Sequence, residues 1–344
     1  MTDKGLQRIR RFSGSREQMQ ELADALRAGN LVAIPTETVY GLAANALDAA
    51  ACRRIFEVKG RPLIDPLIVH VSGPEQAESL AEVSPQARLL MERYWPGPLT
   101  IVMRKRPHVP DIVSAGLPTV ALRCPKHPLT RELLSLSGLC LAAPSANRFG
   151  YVSPTKAEHV EAGLGDRIDY VLDGGPCDIG IESTIIGLAD AEHPVLFRPG
   201  AVSREELSLA LEREVLLPEP RHADESAPVD APGMLSRHYS PQTPLELFPN
   251  GGMPPLSMPG HDAGKRCALV LFARPDAHFA ALPQAVDLFW LSESGQSAEA
   301  ARNVFSLLRR LDEGDYAHIW MEQAPAGGLG DAINDRLGRA SAKR

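Results

Sequence analysis

The 344-residue chain has no excess of positive charge: Lys and Arg number 36 against 43 Asp and Glu, giving 36 − 43 = −7. That balance excludes a surface built throughout to grip nucleic acid or anionic lipid, so any cationic cluster is local. Cysteine is scarce, and none of Cys52, Cys124, Cys140, Cys177 and Cys267 forms a C-x-x-C pair. No zinc site is expected, and the thiols read as reduced and mostly buried, as in a cytoplasmic protein. Long apolar runs are missing, and the opening "MTDKGLQRIRRFSGS" is charged where an export signal would be apolar. Familiar phosphate loops are absent too. "GHDAGKRC" is one residue short between its glycines and lacks the following hydroxyl, while "GLGDAI" at Gly328 has no third glycine.

What is present is helix and strand patterning over a length that favours two domains. Ser15 and Gln18 spell a capping box ahead of Met19, Leu22, Ala23 and Leu26 at helical spacing, which Gly29 stops. The strand "LVAIP" follows, then a helix from about Asp48, the strand "LIVHV", and a helix opened by Ser84-Pro85. Strands "LTIVM" and "TVALRC", a helix over Leu129 to Leu136, "LCLAA" and a helix starting near Ser153-Pro154 continue the series. Three short strands, "YVLDG", "STIIGL" and "PVLFRP", and a helix capped by Ser203 and Glu206 complete an α/β unit over residues 1–214. Over 215–260 prolines cluster and periodicity disappears, which reads as a linker. Residues 261–344 regain pattern in "CALVLF", "AVDLFWL", an amphipathic helix through Ala300, Val304, Leu308 and Leu311, "AHIWM" and a last helix after Gly330. That is a second, small α/β domain.

Four stretches carry candidate chemistry. "PTETVYGLAANA" puts Thr36, Glu37, Thr38 and Tyr40 at a strand end, where α/β sheets place ligands; an ordinary polar turn is the alternative. In "KGRPLIDPLIVHV", Gly60 and Pro62 turn the backbone so that Lys59 and Arg61 can converge on a polyphosphate. The same cations also suit the negative end of the preceding helix, and His70, inside the strand, can be an ordinary core histidine. "GLPTVALRCP" places Arg123 at a strand end after Thr119, a fork for carboxylate or phosphate, or else a surface ion pair. "LAAPSANRFGYVSPTKAEHV" runs from a strand through Ser145 and Asn147 to Ser153 at a helix start, which can cradle an anion or simply cap the helix. Beyond these, "APGMLSRHYSP" is an ordered-looking motif inside the linker and suggests a segment that folds over something.

Together "PTETVYGLAANA", "KGRP…PLIVHV", "WPGPLTIV", "TVALRCP", "LAAPSAN", "SPTKAEHV", "ESTIIGL", "LFRPGAVS" and "APGMLSRHYSP" resemble the threonylcarbamoyl-AMP synthase family in its long, two-domain form. The resemblance implies a YrdC-like twisted mixed-sheet α/β domain followed by a small Rossmann-like α/β C-terminal domain. It implies condensation of L-threonine, bicarbonate and ATP to threonylcarbamoyl-AMP and pyrophosphate, with Mg2+ accompanying ATP. The product would pass to the t6A transferase machinery acting on tRNA. By the same resemblance Thr38, His70, Arg123, Ala143 and Ser183 line the L-threonine side. Arg61, Thr119, Ser145, Ser153, Arg198 and Tyr239 lie on the ATP side, and Lys59 and Asn147 belong to the shared K-x-R and S-x-N signature. Lys59 and Arg61 are the catalytic cations, offsetting triphosphate charge as a carbamate oxygen attacks the α-phosphorus.

One position departs from the family pattern: Asp65 stands where an asparagine usually helps hold ATP. A carboxylate there repels phosphates unless magnesium bridges it or it faces away. No general base stands out. Two other functions remain open at this point. One is a carbamoyl-adenylate-forming enzyme, which shares the first domain; the other is a double-stranded RNA binding protein, for which weak, salt-dependent RNA binding without ATP turnover would speak.

Overall fold

The computed structural model describes residues 9–218, 228–234, 238–255, 265–275 and 282–342. These fall into two compact units. The first comprises the chain up to 234, apart from residues 150–152 and 179–181, which belong with the second unit and its residues from 238 onward.

The first unit opens with β1 (Arg10–Phe12), α1 (Arg16–Arg27), β2 (Val32–Ile34), β3 (Gly41–Asn45), α2 (Ala49–Lys59) and β4 (Ile68–His70). It continues with α3 (Pro74–Leu80), α4 (Pro85–Tyr94), β5 (Leu99–Arg104), α5 (Asp111–Ser114), β6 (Thr119–Arg123) and α6 (Pro128–Ser137). It ends with β7 (Leu141–Ala142), α7 (Ala157–Leu164), β8 (Tyr170–Leu172), β9 (Thr184–Gly187), β10 (Val195–Arg198) and α8 (Arg204–Leu211). Local signals fix many of these ends. Ser15 and Ser203 form complete capping boxes, Asp48 accepts from Ala50 and Ala51 N–H, and Gly60 ends α2 in the left-handed region at φ 64°.

Among the described residues the strands form one mixed sheet in the order β1-β8-β2-β3-β7-β4-β6-β5-β9-β10. Its two faces are filled unequally. One face buries Val69, Leu122, Ile101 and Ile186 with Ile55 and Phe56 of α2, Leu90 and Met91 of α4 and Val160 of α7. On the other face, α1 and α6 cover only part of the sheet, packing Met19, Leu22, Leu26 and Leu133 on Val32, Ile34, Ala43 and Ala143. The rest of that face, on β4, β6, β5 and β9, carries a small cluster of Ile68, Val102, Ala121 and Ile185, against which Ala231 and Met234 of the linker motif pack. A strip of sheet roofed by a linker rather than a helix is where a ligand can lie.

The second unit contains β11 (Leu245–Phe248), β12 (Cys267–Ala273), β13 (Val286–Ser292), α9 (Ser297–Glu313), β14 (His318–Glu322) and α10 (Leu329–Ala340). Its sheet, in the order β11-β14-β12-β13, is parallel throughout. No helix among the described residues is long and apolar enough to cross a membrane.

Two expectations from sequence need correction. The helix assigned near Ser153-Pro154 begins at Ala157, with Lys156 before it. The preceding stretch is claimed by tertiary contacts: Tyr40 N–H donates to the Pro154 carbonyl, Cys177 N–H donates to the Thr155 carbonyl, and Ser153 Oγ donates to Glu182. Ser153 therefore does not stand at a helix start. The linker also ends earlier than 260: "LELF" is a strand, invisible as pattern because it is four residues long and its partner, β14, lies far along the chain. The units divide within the 215–260 stretch, between residues 234 and 238, while the 260/261 boundary lies outside the described residues, as does most of "GHDAGKRC".

Candidate active site

Register and alternation assemble the site. On parallel β4 and β6, Ile68 pairs with Ala121 and His70 with Arg123, so period-2 alternation puts His70 and Arg123 side by side on the linker-roofed face. Both are buried, at 3% and 4% exposure, which removes the surface-pair alternative for Arg123. Arg123 Nη1 donates to Thr38 Oγ1 at 2.8 Å, Nε donates to the Gly97 carbonyl at 3.2 Å, and Nη2 forms a 2.7 Å ion pair with Glu37. The Gly97 turn tolerates no side chain: a Cβ there would meet the Tyr94 carbonyl oxygen at 2.3 Å. Ala143 continues the same face, its N–H donating to the Ile68 carbonyl.

Burial, then the Arg123 cation, push His70 down to about 3, with the Leu141 backbone opposing. The imidazole is thus neutral near pH 7, a hydrogen-bonding group and a weak base. Linkage gives this a sign. Between pH 6.5 and 3 the unfolded chain takes up the proton and the folded chain does not, so stability falls with falling pH by about 1.4 kcal/mol per unit. Replacing His70 by Gln is expected to shrink the stability lost between pH 6.5 and pH 5 by roughly 2 kcal/mol. Urea unfolding at the two pH values checks this; an unaltered loss in the variant would contradict it.

A second set of groups is basic. Arg61 Nη2 lies 2.9 Å from Asp65 Oδ1, while its Nε and Nη2 donate to the carbonyls of Asp65 and Pro66. Lys59 Nζ donates to the Ser145 and Asn147 carbonyls, both at 2.6 Å, clamping the S-x-N loop to the end of α2. Arg198 Nε donates to the Ser183 carbonyl and Nη2 to Ser183 Oγ, and Nη1 donates to the Pro232 carbonyl of the linker. Burial pushes Asp65 up, while Arg61, the Gly233 backbone, Lys59 and Arg198 pull it down. Burial and Arg61 push Lys59 well below the usual lysine range, with Asp65 opposing. Three basic side chains thus surround one carboxylate out of water, a potential that a polyanion would relieve.

Ser183 belongs with the basic set: besides accepting from Arg198, its hydroxyl bonds Thr100 of β5 at 2.8 Å. Thr119 starts β6, four residues before Arg123 and about 13 Å away along an extended strand. Ser153 points to Glu182. Tyr239 belongs to the second unit, fully buried in the left-handed region at φ 64°, stacked on Phe305 at 5.4 Å with the Arg336 guanidinium 5.6 Å from its ring centre. Ser236 and Arg237 of the same motif lie outside the described residues. Sequence reasoning noted Glu37 but gave it no role, because its partner Arg123 is 86 positions away.

Comparison with known proteins places this arrangement. Residues 24–200 match the Sua5/YciO/YrdC family, described as "Telomere recombination", and residues 202–342 match the family described as "Threonylcarbamoyl-AMP synthase, C-terminal domain". The threonylcarbamoyl-AMP synthase of Pyrococcus abyssi is 39% identical over 96% of this chain and 97% of its own length. The chain belongs to the threonylcarbamoyl-AMP synthase family. That of Bacillus subtilis is 38% identical over 95% of this chain and 94% of its own. The crystal structure of P. abyssi Sua5 complexed with L-threonine aligns with a TM-score of 0.83 at 37% identity, covering 96% of each chain. A P. abyssi Sua5 variant with an adjacent histidine and tyrosine replaced by alanine aligns with a TM-score of 0.84 at 35% identity, covering 97% of this chain and 96% of that one. The expected mixed-sheet domain and small parallel α/β domain are both present.

Proposed function

We infer that this chain condenses L-threonine, bicarbonate and ATP to threonylcarbamoyl-AMP and pyrophosphate, the first step of t6A formation in tRNA. The observation that carries the reading is that the first unit buries both an arginine fork, Arg123 held by Thr38 and Glu37 beside His70, and a basic cluster, Lys59, Arg61 and Arg198, around Asp65. In this reading Arg123 takes the amino-acid carboxylate, and neutral His70 orients the substrate by a hydrogen bond. The neutral threonine amine adds to bicarbonate with loss of water, or to its CO2 with loss of a proton to solvent, and the carbamate oxygen then attacks the α-phosphorus in line as pyrophosphate leaves. Lys59, Arg61 and Arg198 offset the charge on the departing phosphates, with Asn147 and Ser145 held against them by Lys59. Among the described residues no three His, Cys, Asp or Glu side chains gather to hold an ion. Magnesium is proposed as a companion of the triphosphate, where it would supply further charge neutralisation. His238 and Tyr239 correspond in residue type to the adjacent pair altered in P. abyssi Sua5, and Tyr239 is proposed as an ATP-side residue on that likeness alone. The five buried free thiols fit a reducing, cytoplasmic setting.

Mass spectrometry of the product formed with isotopically labelled bicarbonate tests the reading. Label in a threonine–AMP conjugate supports it, and labelled AMP conjugate without threonine would favour the carbamoyl-adenylate alternative. Asp65→Asn is expected to leave kcat/KM for ATP intact or raise it, since the amide keeps the shape and removes a negative charge from the phosphate-facing cluster. A loss of about 100-fold in steady-state pyrophosphate release, roughly 2.7 kcal/mol, would mean the carboxylate has an essential role of its own.

A further inference from the structure

The loop after β2 places a buried carboxylate beside Arg123, and the mechanism above gives it no task. Glu37 is 3% exposed. One of its oxygens forms the 2.7 Å ion pair with Arg123 Nη2, and the other accepts the Lys126 N–H at 3.0 Å. Together with Thr38 and the Gly97 carbonyl, this gives each of the three Arg123 nitrogens a protein partner. A guanidinium has five N–H donors, so at least two hydrogens remain for a ligand, as many as a carboxylate accepts side by side.

We propose that Glu37 is a positioning residue for L-threonine, locking the Arg123 fork in the orientation that receives the amino-acid carboxylate. The proposal rests on the threonine reading of this pocket. Glu37 is poorly placed as the missing base, because both its oxygens already face donors. Its backbone is held as well: Thr36 Oγ1 accepts the N–H groups of Thr38 and Val39 and donates to the Val39 carbonyl, closing a tight turn around Glu37. The carboxylate also tempers the pocket. With Arg123 paired, an incoming anion meets a directional fork rather than an unopposed cation, which favours a planar carboxylate over a spherical anion.

Glu37→Gln separates geometry from charge. With its one oxygen on the Lys126 N–H, an amide turns its NH2 toward Arg123, and the ion pair that orients the guanidinium is lost. Titration calorimetry on the full chain would compare L-threonine with L-threoninol, which has no carboxylate, using ATP as a control for the fold. Weakening of L-threonine by about 10-fold or more, with L-threoninol and ATP each within about 2-fold of wild type, is the expected result. Glu37→Asp, which keeps both oxygens but withdraws them by one methylene, should fall between, and it decides the matter should the Gln variant lose ATP binding. Equal weakening of L-threonine and L-threoninol would show a merely structural residue. Unchanged or tighter L-threonine binding would show that charge outweighs geometry. Either overturns the proposal. Failure of the wild-type protein to bind L-threonine would instead overturn the substrate reading itself, and this proposal with it.

Discussion

Arg123→Lys is expected to lower kcat/KM for L-threonine by about 100-fold or more, roughly 2.7 kcal/mol of transition-state stabilisation, with the KM for ATP little changed. The substitution keeps a cation beside Glu37 but removes the fork. A single ammonium cannot reach Glu37, Thr38 Oγ1 and the Gly97 carbonyl while also presenting two parallel N–H groups to a substrate. Alanine is the less informative change, because it leaves a buried carboxylate uncompensated at a cost of about 3–5 kcal/mol and confounds folding with recognition. Steady-state pyrophosphate release at varied L-threonine measures the effect. A loss under about 5-fold, no more than the roughly 1 kcal/mol of a single exposed contact, would show that charge alone suffices and that the fork is not the recognition element.

The other large effect is expected at Lys59. Replacing it by methionine keeps most of the stem and removes the ammonium, leaving the Ser145 and Asn147 carbonyls without their buried donor at about 1–3 kcal/mol each. The S-x-N loop would keep its Phe149 N–H tie to the Lys59 carbonyl and its Ala146 N–H tie to the Tyr40 carbonyl. Loss of the clamp, and of one basic group from the cluster proposed to take the triphosphate, should lower the single-turnover rate by about 1,000-fold, near 4 kcal/mol, at saturating ATP and L-threonine. Thermal unfolding measured alongside separates the two contributions. A lowered melting temperature with a saturating rate within about 10-fold of wild type would show that Lys59 only holds the loop.

What the sequence made legible was local. Ser15 with Gln18 and Ser203 with Glu206 cap helices through neighbours three residues away, so the pattern contained the whole cause. Alternation in "LIVHV" and "TVALRC" located both strands. That those strands are in register, bringing His70 against Arg123, depends on pairing across more than fifty residues that no local pattern encodes. Likewise Arg61 and Lys59 were visible as two cations at a helix end, but the Asp65 and Ser145–Asn147 partners that orient them come from the folded chain. The same limit explains both errors. The Ser153-Pro154 pair looks like a helix start, yet Tyr40 and Glu182 occupy its hydrogen-bonding groups, and "LELF" became a strand only when β14 supplied a neighbour. Roles for individual residues came from family resemblance; the placing of His70 beside Arg123 on a half-covered sheet face came from the fold.

The most direct test of the central claim is pyrophosphate release by the purified full chain given magnesium-ATP, with L-threonine and bicarbonate added singly and together. The account expects sustained release only when both are present, and its collapse in Arg123→Lys. Release that is indifferent to L-threonine, or none under any condition, would contradict it.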